Sequence, residues 1–221
     1  MLSLLTANTI IELICFVFAL ICLTKDRDIL WRIQVLYILI TCIAEVLGIY
    51  ISKHKYNNQW IYNIFILFEA SFTYAMYAHL LKKYINSKSI IIIGLALFFV
   101  FYIFGIISHG FFVYVYPAYT LMSVQFVLYG LYYYYLLLRD DQYVNLKYSA
   151  EFWWVAGCLF FYFANTACDM FDDKLSKVMI PMFHQHLTYF IYKTLNVILY
   201  SCWSYSFICR KWLTTTSESL S

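Results

Sequence analysis

Residues 183–205, FHQHLTYFIYKTLNVILYSCWSY, form an apolar run that carries a lysine, Lys193, well inside it. An α-helix needs about 20 mostly apolar residues to cross a lipid bilayer, so this run is long enough to do so. A lysine at membrane depth costs roughly 2.5 to 3.5 kcal/mol and usually needs a carboxylate partner, a hydrated cavity or a path for its ammonium group to the surface. The run therefore predicts a transmembrane helix, and Lys193 raises the question of what the other helices offer it.

The composition predicts a polytopic membrane protein. The chain of 221 residues is 64% hydrophobic and 12% charged, whereas a soluble domain is about 45 to 50% apolar and 25% charged. The 15 lysines and arginines are scattered among helix ends. Nucleic-acid binding needs a clustered basic face, so we expect no nucleic-acid partner. The seven cysteines lie in apolar runs without a CxxC pair, which does not fit a disulfide or zinc framework.

Apolar runs occupy most of the chain and predict an all-α fold with seven transmembrane helices. We expect one domain, residues 1–213, followed by a disordered cytoplasmic tail at 214–221. Pro117 lies inside the fifth run, where a proline kinks a helix. The predicted spans are residues 4–24, 29–52, 60–81, 89–108, 111–138, 149–171 and 183–209.

The basic residues predict the orientation, since cytoplasmic loops of membrane proteins are enriched in lysine and arginine. With the N-terminus outside, ten of the 15 basic residues lie on the cytoplasmic side, four lie on the outer side, and Lys193 lies within the membrane. The sequence therefore predicts an outer N-terminus and a cytoplasmic C-terminus.

Several other polar residues are predicted at the depth of Lys193, which is roughly 14 Å below the outer end of its span at a rise of 1.5 Å per residue. In the last span, polar positions three or four residues apart form one stripe. The cytoplasmic half offers no comparable layer, because Glu151 and His79 are predicted near the interface. The candidate ligand- or ion-binding residues of the outer half are Glu45, Asn63, Glu69, Asn165, Asp169, His186, Lys193 and Asn196.

Two interpretations of this polar layer remain open. The residues could be packing contacts, with Lys193 neutralised by one glutamate and the rest joined by interhelical hydrogen bonds. Alternatively, they could line an outward-facing cavity that binds a ligand, cation or proton, as intramembrane ionisable residues often do. Glu45, Glu69 and Asp169 outnumber Lys193, so the layer would carry excess negative charge if all were ionised.

Enzymatic and metal-binding patterns are weak. His184 and His186 are two residues apart, so on a helix they point to different sides, unlike the two histidines of an HExxH site. The chain contains no GxSxG, Walker A or glycine-rich phosphate motif. We therefore expect no metal, no cofactor and no catalytic residue, and favour a non-enzymatic protein.

Three stretches resemble a family of small seven-helix membrane proteins of Bacteroidota. They are AEVLGIYISKHKYNNQWIYNIFILFEASF, EFWWVAGCLFFYFANT and LNVILYSCWSYSFICRK. The resemblance spans most of the chain. The resemblance rests on Glu45 and Gly48, on the segments 57–63 and 152–165, and on residues 195–209. It implies a multi-pass protein of the bacterial inner membrane encoded near signalling genes, and Lys193 does not belong to the shared pattern.

The sequence favours a sensor or ligand-binding module with a polar pocket between spans 2, 3, 6 and 7. Its cytoplasmic loops are too short for an output domain, so we expect a membrane or cytoplasmic signalling partner, or self-association as a homo-oligomer, within the lipid bilayer. The alternative is a transporter or a protein that conducts ions or protons through Glu45 and Glu69. An intramembrane hydrolase and a structural partner subunit are less favoured.

Overall fold

In the described part of the chain the regular structure is helical apart from one short strand pair. A computed structural model describes residues 6–141, 144–175, 177–180 and 185–218. Leu146–Tyr148 form a short 3₁₀ turn, and β1 and β2 are antiparallel strands of two residues each. The described elements are α1 (Ala7–Leu23), α2 (Ile29–Lys53), α3 (Gln59–Leu81), α4 (Lys88–His109), α5 (Tyr116–Arg139), α6 (Ala150–Met170), α7 (Asp172–Leu175), β1 (Met179–Ile180), β2 (Gln185–His186) and α8 (Leu187–Glu218).

Side-chain caps determine where three of the helices begin. Thr6, Asp28 and Ser149 precede α1, α2 and α6, and the side-chain oxygen of each accepts a hydrogen bond from a backbone amide of the first turn. Such caps satisfy amides that have no partner within the helix. Asp28 lies in the polar separator before the second predicted span, and Thr6 and Ser149 lie at or near the start of the first and sixth spans. Most helix bounds agree with the predicted spans within a few residues.

Four helices among the described residues are long and apolar enough to cross a membrane, namely α2, α3, α4 and α5. The helix α1 is also apolar, but with 17 residues it is shorter than these four helices. The helices α6 and α8 contain more polar residues, several of which are buried between helices. This pattern is that of a membrane protein.

Six of the long helices form a closed ring. The order around the ring is α1, α2, α3, α5, α6 and α8. Each helix packs against the next, and α8 packs against α1. The remaining long helix, α4, packs against α3 and α5 from outside. The ring leaves a central core in which side chains from non-adjacent stretches of sequence meet.

The core is rich in aromatic side chains and is tightest between α6 and α8. Trp154 and Trp203 stack with ring centroids 5.8 Å apart and planes 3° apart. At Gly157, an added Cβ would lie 3.2 Å from the Leu199 carbonyl oxygen. The absence of a side chain at Gly157 therefore allows this close approach of the two helices.

Two helix starts differ from the prediction. The helix α5 begins at Tyr116, so Pro117 lies in its first turn, where proline is tolerated, and not in its interior. The helix α8 begins at Leu187, because Gln185 and His186 pair with β1 as an extended strand. Pro181 and His184 lie outside the described residues.

The end of α8 also differs from the predicted tail. The helix continues to Glu218, whereas we predicted disorder from residue 214. Backbone hydrogen bonds within a helix do not require apolar side chains, so polar composition alone did not mark the helix end. Residues 219–221 lie outside the described part of the chain.

Candidate functional site

Glu69 is the centre of a buried cluster between α3, α5 and α6. Its carboxyl group accepts a hydrogen bond of 2.7 Å from the Tyr162 hydroxyl. The Asn165 amide donates to the Tyr119 hydroxyl at 3.1 Å, and Tyr119 in turn lies close to Glu69 and Asp169. Glu69 and Asn165 are 8% and 3% exposed, so this Glu69 cluster is shielded from the surface.

Glu45 belongs to a different cluster, which includes Glu12, a residue that was not among the predicted candidates. Glu12 of α1 is 4% exposed and lies beside Glu45 and the Tyr200 hydroxyl. Glu45 is half-buried and lies next to Tyr62. We name these four residues, Glu12, Glu45, Tyr62 and Tyr200, the Glu12 cluster, which lies between α1, α2, α3 and α8.

Tyr37 lies between the two clusters. Its hydroxyl is close to Glu69, and Tyr200 of the other cluster is close to Tyr37. The Tyr37 ring stacks on Phe72 with centroids 4.5 Å apart and contacts the edge of Trp203. The predicted acidic residues thus occupy two neighbouring clusters and do not line one common surface.

The predicted stripe on the last span is only partly helical. His186 is exposed in β2 and precedes the helix. Asn196 is half-buried, and its amide donates to the Tyr192 carbonyl at 3.0 Å. The Lys193 ammonium lies 4.1 Å from the centre of the Tyr189 ring, a cation–π arrangement. The prediction that His186 lies on a helical polar face is therefore wrong, because its backbone is extended.

Asp169 contacts α8 through its carboxylate, which accepts a hydrogen bond of 2.7 Å from the Tyr192 hydroxyl. It is half-buried at the C-terminal end of α6. Tyr114 and Tyr119 both lie close to it. Asp169 is therefore at the margin of the Glu69 cluster, nearer the helix end.

Asn63 is fully buried and holds the connection between α4 and α5. Its amide nitrogen donates to the carbonyls of Phe111 and Val113, both at 2.8 Å. Its amide oxygen accepts from the Val115 amide at 3.1 Å. Both polar atoms of Asn63 are thus bonded to backbone groups, which explains its burial without a ligand.

Three side-chain carbonyl or carboxyl oxygens on α1 and α6 are buried and have no hydrogen-bond partner among the described residues. They are Asn8 Oδ1, Glu12 Oε2 and Asn165 Oδ1. Asn8 and Glu12 are four residues apart and so lie on one face of α1. Buried polar atoms are nearly always hydrogen-bonded, so these oxygens need partners other than the described residues, such as bound water or a solute.

Further buried polar groups without a described protein partner continue toward the other end of the bundle. Thr73 and Tyr77 follow Glu69 at intervals of four residues on one face of α3, and neither hydroxyl has a hydrogen-bond partner among the described residues. The side-chain amide of Gln34 and the Trp154 indole nitrogen also lack one in the part of the chain described. Groups of this kind commonly bind internal water. The half of the bundle that the sequence predicts as cytoplasmic therefore contains buried polar groups that were not among the predicted residues.

A charge network lies at the end that the sequence predicts as cytoplasmic. The Arg210 guanidinium binds Asp26 at 2.8 Å and 3.2 Å and Glu151 at 3.4 Å. Asp28 lies 3.9 Å from Arg210 and 2.8 Å from His79. Burial lowers the pKa of Arg210, but its bonds to Asp26 and the neighbouring carboxylates outweigh this and raise the pKa above its ordinary value. The network joins the α1–α2 turn to α3, α6 and α8.

Neither Glu12 nor the Arg210 network was among the predicted site residues, and the two differ in whether the sequence could have revealed them. Glu12 is an acidic residue inside an apolar run, the same signal that identified Glu45 and Glu69. The pairing of Arg210 with Asp26 joins residues 184 positions apart, and neither lies inside an apolar run. The first was recognisable, and the second depends on which helix ends are neighbours.

The described residues contain no group of three His, Cys, Asp or Glu side chains placed to hold a metal ion. Comparisons with protein-family models, curated proteins and solved structures found no match to this chain. The chemistry of the two clusters is therefore the basis for a functional proposal.

Proposed function

We propose that the chain is a non-enzymatic, multi-pass membrane protein that senses or binds a small solute through the Glu12 and Glu69 clusters. The observation that carries this proposal is the set of three buried acceptors without described partners, Asn8 Oδ1, Glu12 Oε2 and Asn165 Oδ1. A solute bound at either cluster must bring hydrogen-bond donors or a positive charge to the acceptors there. A small cation or a primary ammonium group fits this requirement.

Carboxyl groups strengthen the preference for a cation. The two clusters contain Glu12, Glu45 and Glu69, with Asp169 at the margin. Placing acidic groups in a membrane interior is costly unless they pair or serve a ligand, and a bound cation would offset this cost.

The proposed membrane placement has seven spans, an outer N-terminus and a cytoplasmic C-terminus. The ten to four distribution of basic residues supports the orientation, since positive residues favour the cytoplasmic side. The resemblance to seven-helix proteins of Bacteroidota supports a bacterial inner membrane. In this placement the two clusters occupy the outer half and the Arg210 network the cytoplasmic end.

The helix α8 is the proposed route for a signal. It contributes Tyr200 to the Glu12 cluster and Arg210 to the network at the other end. A change in the packing of α8 on solute binding would reach Asp26 and Glu151 without a separate output domain. A partner, or a second copy of the chain, would then read the cytoplasmic end.

Thermal unfolding of the purified protein in detergent tests the proposal, with methylammonium, Na⁺ and K⁺ chlorides as probes and choline chloride to keep ionic strength equal. We expect at least one probe to raise the unfolding midpoint of the wild type, because a ligand that binds the folded state stabilises it. Glu12→Gln and Glu69→Gln should lose most of this increase. Asp141→Asn, an exposed change at the opposite end, serves as the control and should retain it.

The proposal would be contradicted if none of the probes stabilised the wild type relative to choline. An equal response in the wild type and both glutamate variants would also contradict it, because the clusters would then not be the binding site.

A second candidate is proton or cation transport, favoured by the row Glu69, Thr73 and Tyr77 on α3. The two hydroxyls have no described hydrogen-bond partner and extend from the Glu69 cluster toward the Arg210 network. Conduction needs polar groups in both halves of the membrane, and water bound along this row would provide them.

Flux into liposomes loaded with a pH-sensitive dye tests this candidate. A transporter should dissipate an imposed pH gradient, and Tyr77→Phe should slow the flux by removing one hydroxyl of the row. Tyr135→Phe removes a hydroxyl from a tyrosine that is 52% exposed and should leave the flux unchanged. Gradient decay equal to that of protein-free liposomes would reject transport and leave the sensor proposal standing.

A further inference from the structure

We name the exposed face of α3 between α2 and α4 the α3 furrow. Residues on this face are spaced three or four apart, as expected for one side of a helix. The helix α3 packs against both α2 and α4, which flank the furrow. The residues of the face, all exposed or half-buried, are Ile64, Phe68, Ser71, Ala75, Ala78 and Lys82.

The furrow ends in a cavity at the predicted cytoplasmic side. The cavity has a volume of about 670 Å³ and is lined by Ala75 and Ala78 at its floor, with Leu30 of α2 on one side. Lys82, Lys83 and Lys88 line the same cavity. Small side chains thus leave space beside α3, and ammonium groups surround the end of that space.

The lysines give the cavity a positive charge. Lys82 and Lys88 are exposed. The Lys83 ammonium lies 3.6 Å from Asp140, and its side chain is 55% exposed, so this pair is weak. His79 also lines the cavity, and it contacts Asp28 at 2.8 Å. Lys82 and Lys88 are therefore the two lysines best placed to bind an anion.

The start of α4 adds donors at the same place. Ser87 precedes the helix, but its side chain makes no capping bond to the first turn and instead donates to the Ala78 carbonyl at 3.2 Å. The first amides of α4 are therefore not capped by Ser87, and such amides favour anionic groups. They lie beside Lys88, the first residue of the helix.

A second cavity is lined by acidic residues and, among the described residues, by no basic residue. This second cavity, about 630 Å³ in volume, is mainly apolar, but Asp140 and Asp141 lie at its edge. An anionic group would be repelled there. The basic end of the α3 furrow is thus the better position for a negative headgroup.

We propose that the α3 furrow binds one anionic phospholipid of the cytoplasmic leaflet. Its phosphate lies against Lys82 and Lys88, and one acyl chain lies along Ser71, Ala75 and Ala78. Basic pockets between helices at the cytoplasmic face are suited to anionic headgroups, and each nearby lysine strengthens the attraction. This inference rests on the membrane placement proposed above but not on the solute-binding clusters.

Native mass spectrometry of the detergent-solubilised protein tests the proposal with phosphatidylglycerol and phosphatidylcholine. We expect tighter retention of phosphatidylglycerol, and an affinity about 30-fold lower in Lys82→Gln/Lys88→Gln. Lys25→Gln/Lys147→Gln removes two exposed lysines from the same end of the bundle that do not line the cavity, and should bind like the wild type. Ala75→Leu should weaken binding by filling the furrow.

Equal retention of the two lipids would overturn the proposal, as would an equal loss of affinity in both lysine variants. Displacement of phosphatidylglycerol by millimolar inorganic phosphate alone would also overturn it, since the acyl chain would then contribute nothing. The methylammonium response of Lys82→Gln/Lys88→Gln should equal that of the wild type. This readout separates a failure of the lipid site from a failure of the solute site.

Discussion

Asn63 shows how one polar residue can determine where a helix begins. It binds the carbonyls of Phe111 and Val113 and the amide of Val115. These bonds fix the segment before α5 in a non-helical conformation, so Pro117 falls in the first turn of the helix. The residue was predicted as a ligand-binding candidate, and its described contacts instead give it a structural role.

We expect Asn63→Ala to lower the free energy of unfolding by about 3 kcal/mol, because it removes three hydrogen bonds and leaves buried backbone groups without partners. Unfolding in detergent, followed by tryptophan fluorescence, measures the change. Asn57→Ala is the control. Asn57 donates one hydrogen bond to the Phe112 carbonyl and accepts one from the Gln59 amide. Both bonds are exposed, so water can replace them and their loss should cost much less. Similar losses in the two variants would contradict the role of Asn63.

Glu12 shows which features of the candidate site are visible in the sequence and which are not. An acidic residue inside an apolar run is visible in the sequence, and the same criterion selected Glu45 and Glu69. The proximity of Glu12 to Glu45 and Tyr200 was not visible, because it depends on the packing of α1 against α2 and α8. The type of chemistry was thus predictable, but the grouping of the residues was not.

At the scale of helices, the pair α6 and α8 depends on Gly157. A Cβ at this position would lie 3.1 Å from the Cys202 Cβ and 3.2 Å from the Leu199 carbonyl oxygen. Backbone and Cβ atoms cannot move aside independently, so a larger residue must push the two helices apart. The packing of Trp154 on Trp203 occurs in the same interface.

Gly157→Ala should therefore destabilise the protein by about 1 to 2 kcal/mol through overpacking. Gly130→Ala provides a matched comparison, because its nearest neighbours are side-chain atoms, led by the Tyr77 hydroxyl at 3.2 Å, that can rotate away. We expect a smaller loss there. Chemical denaturation in detergent would measure both, and a greater loss at Gly130 would show that the α6–α8 contact is not the tighter one.

Most helices were predictable from the sequence because apolar runs and polar separators have direct physical meanings. The exceptions were the starts of α5 and α8. At α5 the cause is a set of bonds to Asn63, and at α8 it is the pairing of β1 with β2. Both depend on contacts between separate segments, which the apolar pattern does not encode.

At the scale of the whole molecule, Arg210 joins parts of the chain that are far apart in sequence. The Asp26 side chain that it binds is 1% exposed, and Glu151 and Asp28 complete its surroundings. The guanidinium also lies over the Trp31 ring at 5.2 Å. The network thus connects the first turn between helices to the end of the last helix and closes the ring at one side.

Arg210→Ala should lower the free energy of unfolding by about 3 kcal/mol, because it leaves the buried Asp26 carboxylate without its main partner. Lys211→Ala, at an exposed neighbouring position, should have a small effect. Arg210→Met combined with Asp26→Leu should recover part of the loss. If the double variant were no more stable than Arg210→Ala, the unpaired carboxylate would not be the cause.

The ring order of the helices lies beyond what composition and periodicity can predict. The apolar runs indicate that the helices pack together, but many orders of packing bury similar apolar surfaces. The division of the acidic residues into the Glu12 and Glu69 clusters follows from one particular order, in which α1 and α8 are neighbours. A single pocket shared by Glu45 and Glu69 was a reasonable expectation that this order does not produce.

The stacked pair of Trp154 and Trp203 is an intrinsic spectroscopic probe of the α6–α8 interface. With planes 3° apart and centroids 5.8 Å apart, the two indoles are close enough for their electronic transitions to couple. Near-ultraviolet circular dichroism should therefore contain a signal specific to the α6–α8 interface. Any solute, lipid or substitution that shifts α8 against α6 would change that signal without an attached label.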